Sequence, residues 1–240
     1  MTTLVKIIVT SVLSLLLFSC NLSFSNSLDG KGAVTLQEHD LETFNQIDVS
    51  KGWDVVLIKS DKSKMTVETN ENLHENLEFT VENEILSISG KENIGNAEAK
   101  SIKVYYAEKL QKIGAHSGSE IVSNEVFQQD KIKIDASSGA DISLKVDTKN
   151  ITVNASSGAE IELFGTTENL ESNASSGASI EAKNLDASSA VAEASSGANV
   201  ELKVSESLTA GASSGGNVVY HGNPKNTSID NSVSGDVSKR

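Results

Sequence analysis

The chain has 240 residues, a hydrophobic content of 38% and an aromatic content of only 4%. This length allows one or two domains, and the scarcity of large rings favours a thin, stacked core over a conventional globular one. The formal net charge is -13 and the only arginine is Arg240, so the chain lacks the basic face that binding to nucleic-acid phosphates requires.

Residues 1–20 are predicted to be a bacterial lipoprotein signal peptide and not part of the fold. A lysine supplies the positive n-region, and the apolar run from Ile7 to Phe18 is too short to span a bilayer. A small serine then precedes Cys20, the only cysteine, at the place where a lipoprotein thiol is acylated. Cys20 is therefore the predicted lipid attachment site, and its position disfavours the alternative of a buried free thiol.

The segment after the signal is predicted to change from tether to β-structure. Residues 21–32 are expected to form a short flexible tether. Residues 33–112 alternate apolar and polar side chains, which is typical of half-buried strands such as Trp53–Ile58, with one helical turn expected in Asn70–Asn76. We expect this β region to lead into a solenoid, and Trp53 to pack in a core or cap and not to serve as a ligand platform.

A five-residue sequence, Ala-Ser-Ser-Gly-Ala, recurs at intervals of 18 to 21 residues. Copies, the first and last of them imperfect, start at Ala115, Ala136, Ala155, Ala174, Ala194 and Ala212. Apolar residues occupy every second position on both sides of the turn, which indicates strands that bury one face. Residues 113–222 are therefore predicted to form an all-β parallel β-helix, or β-solenoid, with about 19–20 residues per repeat, followed by a polar tail at residues 223–240.

The alternation, continued through the turn, places the second serine of each copy on the inward face. Stacked coils lie about 4.8 Å apart, and an unpaired inward hydroxyl would cost about 1–3 kcal/mol, so a hydrogen-bonded ladder is predicted. Its members are Ser138, Ser157, Ser176, Ser196 and Ser214. Glycine supplies turn angles that other residues resist. The turn glycines are Gly118, Gly139, Gly158, Gly177, Gly197 and Gly215.

The order of features resembles a known bacterial family. An F-x-x-I-x-V strand begins at Phe44, W-D-V-V-L-I at Trp53 and I-x-V-Y-Y at Ile102, and a Leu-Gln-Lys-Ile segment then leads into serial Ser-Gly turns. This set, over about residues 40 to 222, resembles the GIN domain, or autotransporter adhesin head domain. The resemblance implies a pectin-lyase-like β-helix without catalytic residues, for which cell adhesion is the proposed role.

Sequence patterns that suggest chemistry have simpler interpretations. Gly211–Gly215 matches G-x-S-x-G, the nucleophile-elbow pattern, but it is a copy of the repeated turn with no helix after it. Asp141 and Glu160 would stack near the separation of a retaining glycosidase pair, although a solvated acidic ladder is the favoured interpretation. The four histidines lack metal-ligand spacing, so neither a cofactor nor a metal is expected.

The sequence therefore predicts a non-enzymatic cell-envelope lipoprotein whose solenoid serves adhesion or scaffolding. It is predicted to be exported and held in the outer membrane through Cys20, on the periplasmic or the cell-surface side. The expected partner is an envelope or host-surface glycan or protein, and no nucleic acid. The alternative is a glycan-binding or glycan-degrading envelope protein, for which Trp53, Tyr105 and Tyr106 are the candidate binding aromatics.

Overall fold

The computed structural model describes residues 27–231 and 234–240, so Cys20 and the first part of the predicted tether lie outside the described residues. The described chain is a parallel β-solenoid of about seven turns, which confirms the predicted fold class. No helix among these residues is long and apolar enough to cross a bilayer.

The elements fall into an irregular N-terminal set and a regular series of long strands. The first set is β1 (Ser27–Leu28), β2 (Val34–Asp40), β3 (Gln46–Val49), β4 (Asp54–Lys59), β5 (Lys64–Asn70), α1 (Glu71–His74), β6 (Leu77–Glu82), β7 (Ile85–Gly90), β8 (Asn93–Ile94) and β9 (Lys100–Tyr106). The second set is β10 (Lys112–His116), β11 (Glu120–Ser137), β12 (Asp141–Ser156), β13 (Glu160–Ala174), β14 (Ser179–Ser195), β15 (Asn199–Ser213), β16 (Asn217–His221), β17 (Asn226–Asn231) and β18 (Asp236–Lys239).

The long strands β11 to β15 each form most of one coil, and each pairs in parallel with the next. Equivalent residues therefore stack in columns along the solenoid axis. One inward column contains Ile121, Ile142, Ile161, Ile180 and Val200. All five side chains are at most 2% exposed, so the alternating sequence pattern does translate into a continuous, narrow apolar core.

The N-terminal strands belong to the same solenoid, and the structure shows no break at residue 113. Strands β3 and β4 pair in parallel with β10 and β11, and β7 and β9 pair in parallel with β3 and β4. Strands β2, β5 and β6 then join in antiparallel orientation. The parallel stack therefore ends in antiparallel strands at the N-terminal end, where β2 and β6 are each paired on one side only.

Trp53 lies inside this N-terminal end and is fully buried, which confirms its expected role in packing. Its indole Nε1 donates a hydrogen bond of 2.9 Å to the carbonyl oxygen of Ser89. The buried ring fills the core beside the first coil, and its one polar atom is satisfied, as a buried indole requires.

The described part of the predicted tether is docked onto the body. Ser27 and Leu28 pair with β8. Asn72 Nδ2 donates to the carbonyl of Asp29 at 2.9 Å, and the amide of Asn96 donates to the Asp29 carboxylate at 2.9 Å. These long-range contacts order residues that the sequence suggested would be a flexible linker.

The C-terminal residues also differ from the simple tail that the sequence suggested. Strand β17 pairs with β15 and β18 pairs with β16, so they add a partial last coil. Ile229 continues the inward column of Ala210, yet it is 44% exposed. No strand of the described chain covers this end, because β17 and β18 are each paired on one side only.

Candidate functional site

The repeated Ser-Ser-Gly segment forms a tight turn with two successive residues at positive φ. In the second full copy Ser157 has φ 54° and Gly158 has φ 74°. The amide of Ala159 donates to the carbonyl of Ser156 at 3.2 Å, which closes the turn. Positive φ at both central residues is the signature of a type I′ turn, and glycine suits its second position. The turn glycines named from the sequence all have positive φ, between 69° and 78°.

The prediction that the second serines point inward is wrong. Ser138, Ser157, Ser176, Ser196 and Ser214 are all exposed and have φ between 52° and 57°. The left-handed conformation turns each side chain outward at the corner, although Ala155 and Ala159 on either side are buried. The inward face at the turn therefore consists of small residues alone, and the hydroxyls lie on the surface.

A pair of substitutions separates the two serines of one turn. Ser157→Val places a β-branched residue at positive φ, which we expect to lower the free energy of unfolding by about 1–2 kcal/mol. Ser156→Val, in the adjacent extended residue, should change it by less than about 0.5 kcal/mol. Thermal denaturation followed by circular dichroism would measure both. Equal stability of the two variants would contradict the left-handed assignment.

The glycine amides of the turns also donate hydrogen bonds between coils. The amide of Gly158 donates to the carbonyl of Ser176 at 3.1 Å, and the amide of Gly139 donates to the carbonyl of Ser157 at 3.1 Å. The same bond recurs from Gly177 to the carbonyl of Ser196 at 3.1 Å. These turn amides are therefore committed to the stack and are not free to bind a ligand.

One polar cluster brings together a serine, a histidine and an aspartate. The ring Nδ1 of His116 lies 2.7 Å from Ser137 Oγ, and its Nε2 lies 3.4 Å from Asp48 Oδ1. A nucleophilic serine also needs preorganised donors for the developing oxyanion. The amide of the next residue, Ser138, donates to the carbonyl of Ser156 at 3.3 Å. The cluster thus has the side-chain contacts of a catalytic triad, but the Ser138 amide is already bonded and cannot stabilise an oxyanion.

The acids considered for glycoside chemistry stack on an exposed face. Asp141 pairs in register with Glu120 on one side and Glu160 on the other. Together with Glu162 they line a shallow depression of about 250 Å³. Within the described ranges, no group of three or more histidine, cysteine, aspartate and glutamate residues is arranged to hold a metal ion. The arrangement is an acidic column in solvent, with no opposing acid across a cleft.

The aromatic residues considered as binding platforms are mostly buried. Tyr106 is 3% exposed and stacks on Phe127 with a centroid separation of 5.8 Å. Burial, assisted by the negative charge of Glu125, raises the pKa of Tyr106 to about 12. Tyr105 is half-buried, with the Lys64 ammonium 5.2 Å from its ring centroid. No row of exposed rings lies along the described surface.

Two polar grooves run parallel to the solenoid axis, and sequence analysis did not find them. The hydroxyl groove has a volume of about 660 Å³ and lies beside the repeated turns. One wall carries the first serines of the turns, and the other carries polar side chains on all coils but one. The serines are Ser137, Ser156, Ser175, Ser195 and Ser213, and the facing residues are Asp135, Asn154, Asn173, Glu193 and Gly211, followed by Asp230 of the next coil. Its floor consists of the alanines between them. The signal was present in the repeat, since the residue before the first alanine is polar in four of the six copies and is glycine in the other two, Gly114 and Gly211.

The lysine groove is larger, about 960 Å³, and lies at another corner of the coils. Its rims contain Lys149, which pairs with Asp130 at 2.8 Å, and Lys203, which pairs with Asp186 at 2.7 Å. The hydrogen bond between the first pair lowers the pKa of Asp130 and raises the pKa of Lys149. The charged groups of this groove thus largely form ion pairs with one another.

The fold and its surface define a parallel β-solenoid with antiparallel strands at its N-terminal end and two polar axial grooves. The family model described as "Putative auto-transporter adhesin, head GIN domain" matches residues 43–224, so the chain belongs to this family. The resemblance noted in the sequence is thereby confirmed. No curated protein matches the chain.

Several solved structures have the same fold. An adhesin candidate ("putative adhesin") from Bacteroides fragilis is 16% identical, with a TM-score of 0.81 over 89% of this chain and 100% of its own. Another "putative adhesin", from Parabacteroides merdae, is 15% identical, with a TM-score of 0.70 over 90% and 99%. A "putative lipid binding protein" from Parabacteroides distasonis is 18% identical, with a TM-score of 0.67 over 90% and 100%. At these identities the similarity shows the fold alone.

Proposed function

We propose that this protein is a non-catalytic adhesion lipoprotein of the bacterial envelope, anchored through Cys20, whose solenoid presents its long sides to a partner. The observation that carries the proposal is the pair of polar grooves that extend across successive coils. A surface that repeats along an axis suits contact with an extended partner. The family name and the adhesin names of two similar structures agree with this role.

The absence of a catalytic role is supported by the chemistry of the described residues. The His116–Ser137 pair lacks an oxyanion donor in the following amide, which is bonded within the stack. The column around Asp141 is open to solvent and faces no second carboxylate across a cleft. We therefore expect Asp141→Asn and Glu160→Gln to leave all binding unchanged and no polysaccharide to be hydrolysed.

Anchoring is supported by the sequence of the first 20 residues. An apolar run that ends at the only cysteine is the pattern of a lipoprotein signal. Several acyl chains at one site bind a membrane stably, since each buried methylene contributes about 0.8 kcal/mol.

Replacement of the cysteine tests the anchor. Cells that express Cys20→Ser should fail to incorporate an alkyne-labelled fatty acid into the protein, and the chain should move from the membrane to the soluble fraction. Wild-type protein gives the reference, and Ser19→Ala serves as the matched control that keeps the thiol. Fatty-acid labelling of the Cys20→Ser chain would refute the assigned site.

Adhesion is tested on intact cells. Cells with the wild-type chain should lose the protein on protease treatment and adhere to mucin- or matrix-coated surfaces more strongly than Cys20→Ser cells. Protection of the chain from protease in intact cells, combined with unchanged adhesion, would place it on the periplasmic side and contradict the adhesin role.

A further inference from the structure

We propose that the hydroxyl groove binds one extended chain of a neutral polysaccharide, with about one sugar unit facing each coil. This inference rests on the proposed adhesion function and names its ligand class. The groove follows the repeated turns over five coils, a length of roughly 20 Å at about 4.8 Å per coil.

The two walls offer the groups that bind sugar hydroxyls. One wall is a column of amides and carboxylates, in which Asn154 Nδ2 donates to Asp135 Oδ1 at 2.8 Å and Asn173 Nδ2 donates to Asn154 Oδ1 at 3.2 Å. These bonds hold the side chains in fixed orientations, so binding costs little additional side-chain conformational entropy. The other wall is the column of first-serine hydroxyls. The four coils from Asp135 to Glu193 therefore present a hydroxyl and an amide or carboxylate at the same height, whereas the coil of Ser213 has Gly211 at that position.

The identity of the first serine is not required by the fold. Ser156, Ser195 and Ser213 lie in strands, neither they nor Ser175 have positive φ, and no hydrogen bond from these four hydroxyls to other described residues is formed. Another outward position of the repeat changes freely from coil to coil, from Asp141 and Glu160 to serine and asparagine. The first position is serine in the five copies from Ala136 to Ala212, and His116 occupies it in the copy at Ala115. A shared external contact explains the four unpaired, partly exposed hydroxyls where packing does not.

The groove favours a sugar chain over a peptide. A peptide strand binds to a sheet through unpaired backbone groups at an edge, but the strands beneath this groove pair on both sides with neighbouring coils. Only side chains remain to bind a ligand. The coil spacing of about 4.8 Å is close to the length of one sugar unit in an extended chain, whereas a peptide residue spans about 3.3 Å.

The charge of the groove favours a neutral chain. Asp135, Glu193 and Asp230 line it, and the nearest lysines already pair with carboxylates: Lys133 lies 3.1 Å from Asp135, and Lys112 lies 3.3 Å from Asp48. With an overall charge of -13, the protein repels polyuronates and sulfated glycans.

Binding of defined oligosaccharides to the full-length protein in detergent tests the proposal. The probes are cello-oligosaccharides and chito-oligosaccharides of two to six units, together with an array of neutral and anionic polysaccharides. On at least one neutral series, the Kd should fall by about tenfold or more between two and five units and then level off. Polygalacturonate and heparin should not bind.

Three variants locate the binding site. Ser175→Trp fills the hydroxyl groove and should weaken binding by about tenfold or more, while Thr166→Trp, on the lysine groove, should leave it unchanged. The double variant Ser156→Ala with Ser175→Ala, which removes hydroxyls without adding bulk, should weaken binding several-fold with the same melting temperature. Circular dichroism verifies the fold of each variant.

The outcomes separate this inference from the adhesion proposal. Failure of every neutral polysaccharide to bind, selective binding of anionic chains or peptides, or equal loss in Thr166→Trp would each overturn the groove assignment. If Ser175→Trp cells still adhere like wild type while Cys20→Ser cells do not, adhesion stands and the groove assignment fails. If wild-type and Cys20→Ser cells adhere equally, the adhesion proposal itself fails.

Discussion

Gly165→Ala is expected to lower the free energy of unfolding by about 3 kcal/mol or more. Gly165 has φ 112°, a conformation that L side chains rarely adopt, and it pairs with Val146 in the preceding coil. An added Cβ would lie 2.1 Å from the carbonyl oxygen of Val146. The strain therefore adds to a clash with backbone that already bonds between coils. Urea denaturation would measure the loss.

Gly158→Ala is the matched control, because it separates the backbone angle from the clash. Gly158 also has positive φ, 74°, but nothing lies within 4 Å of the position of an added Cβ. Its cost should be about 1–2 kcal/mol, from the left-handed conformation alone. Equal destabilisation by the two variants would show that the contact with Val146 is unimportant.

Trp53→Ala should destabilise the protein by about 3–5 kcal/mol. The substitution removes a fully buried ring from the N-terminal end and deletes the hydrogen bond to the carbonyl of Ser89. Trp53→Phe keeps most of the volume and should cost less, about 1–3 kcal/mol, chiefly from the unpaired carbonyl. Thermal melting followed by circular dichroism would compare them. A Trp53→Ala protein that melts like the wild type but loses glycan binding would instead indicate an exposed binding platform.

The fold was largely predictable because the chain repeats its own turn. Regular alternation on both sides of Gly139 and Gly158 fixed strands, and the near-constant interval fixed the coil. The inward placement of Ser138 and Ser157 was wrong for an identifiable reason. The buried alanines on either side of each turn lie four residues apart, so the sequence pattern of inward and outward residues continues unchanged through the turn. A Ser-Gly pair at the centre of a tight turn itself indicates two residues in the left-handed conformation, and this signal decides the direction of the serine side chain in place of the alternation.

Contacts between distant parts of the chain were beyond sequence reasoning. The docking of Asp29 depends on Asn72 and Asn96, 43 and 67 residues away. Likewise, Asp48 reaches His116 across 68 residues because β3 lies beside β10. No local pattern encodes these pairings. The hydroxyl groove has the same origin, since the successive serines of its wall lie 18 to 20 residues apart in the chain.

The docking of Ser27 onto the solenoid also limits the distance between the solenoid and Cys20. Seven Cα steps separate Ser27 from Cys20, and a fully extended chain covers at most about 25 Å over them. With a lipid on Cys20, the N-terminal end of the solenoid would lie within about 25 Å of the bilayer surface. The opposite end, at β17, lies eight coil spacings from β7, or roughly 40 Å. A partner of the protein anchored as proposed would therefore bind it along its flanks or at its distal tip.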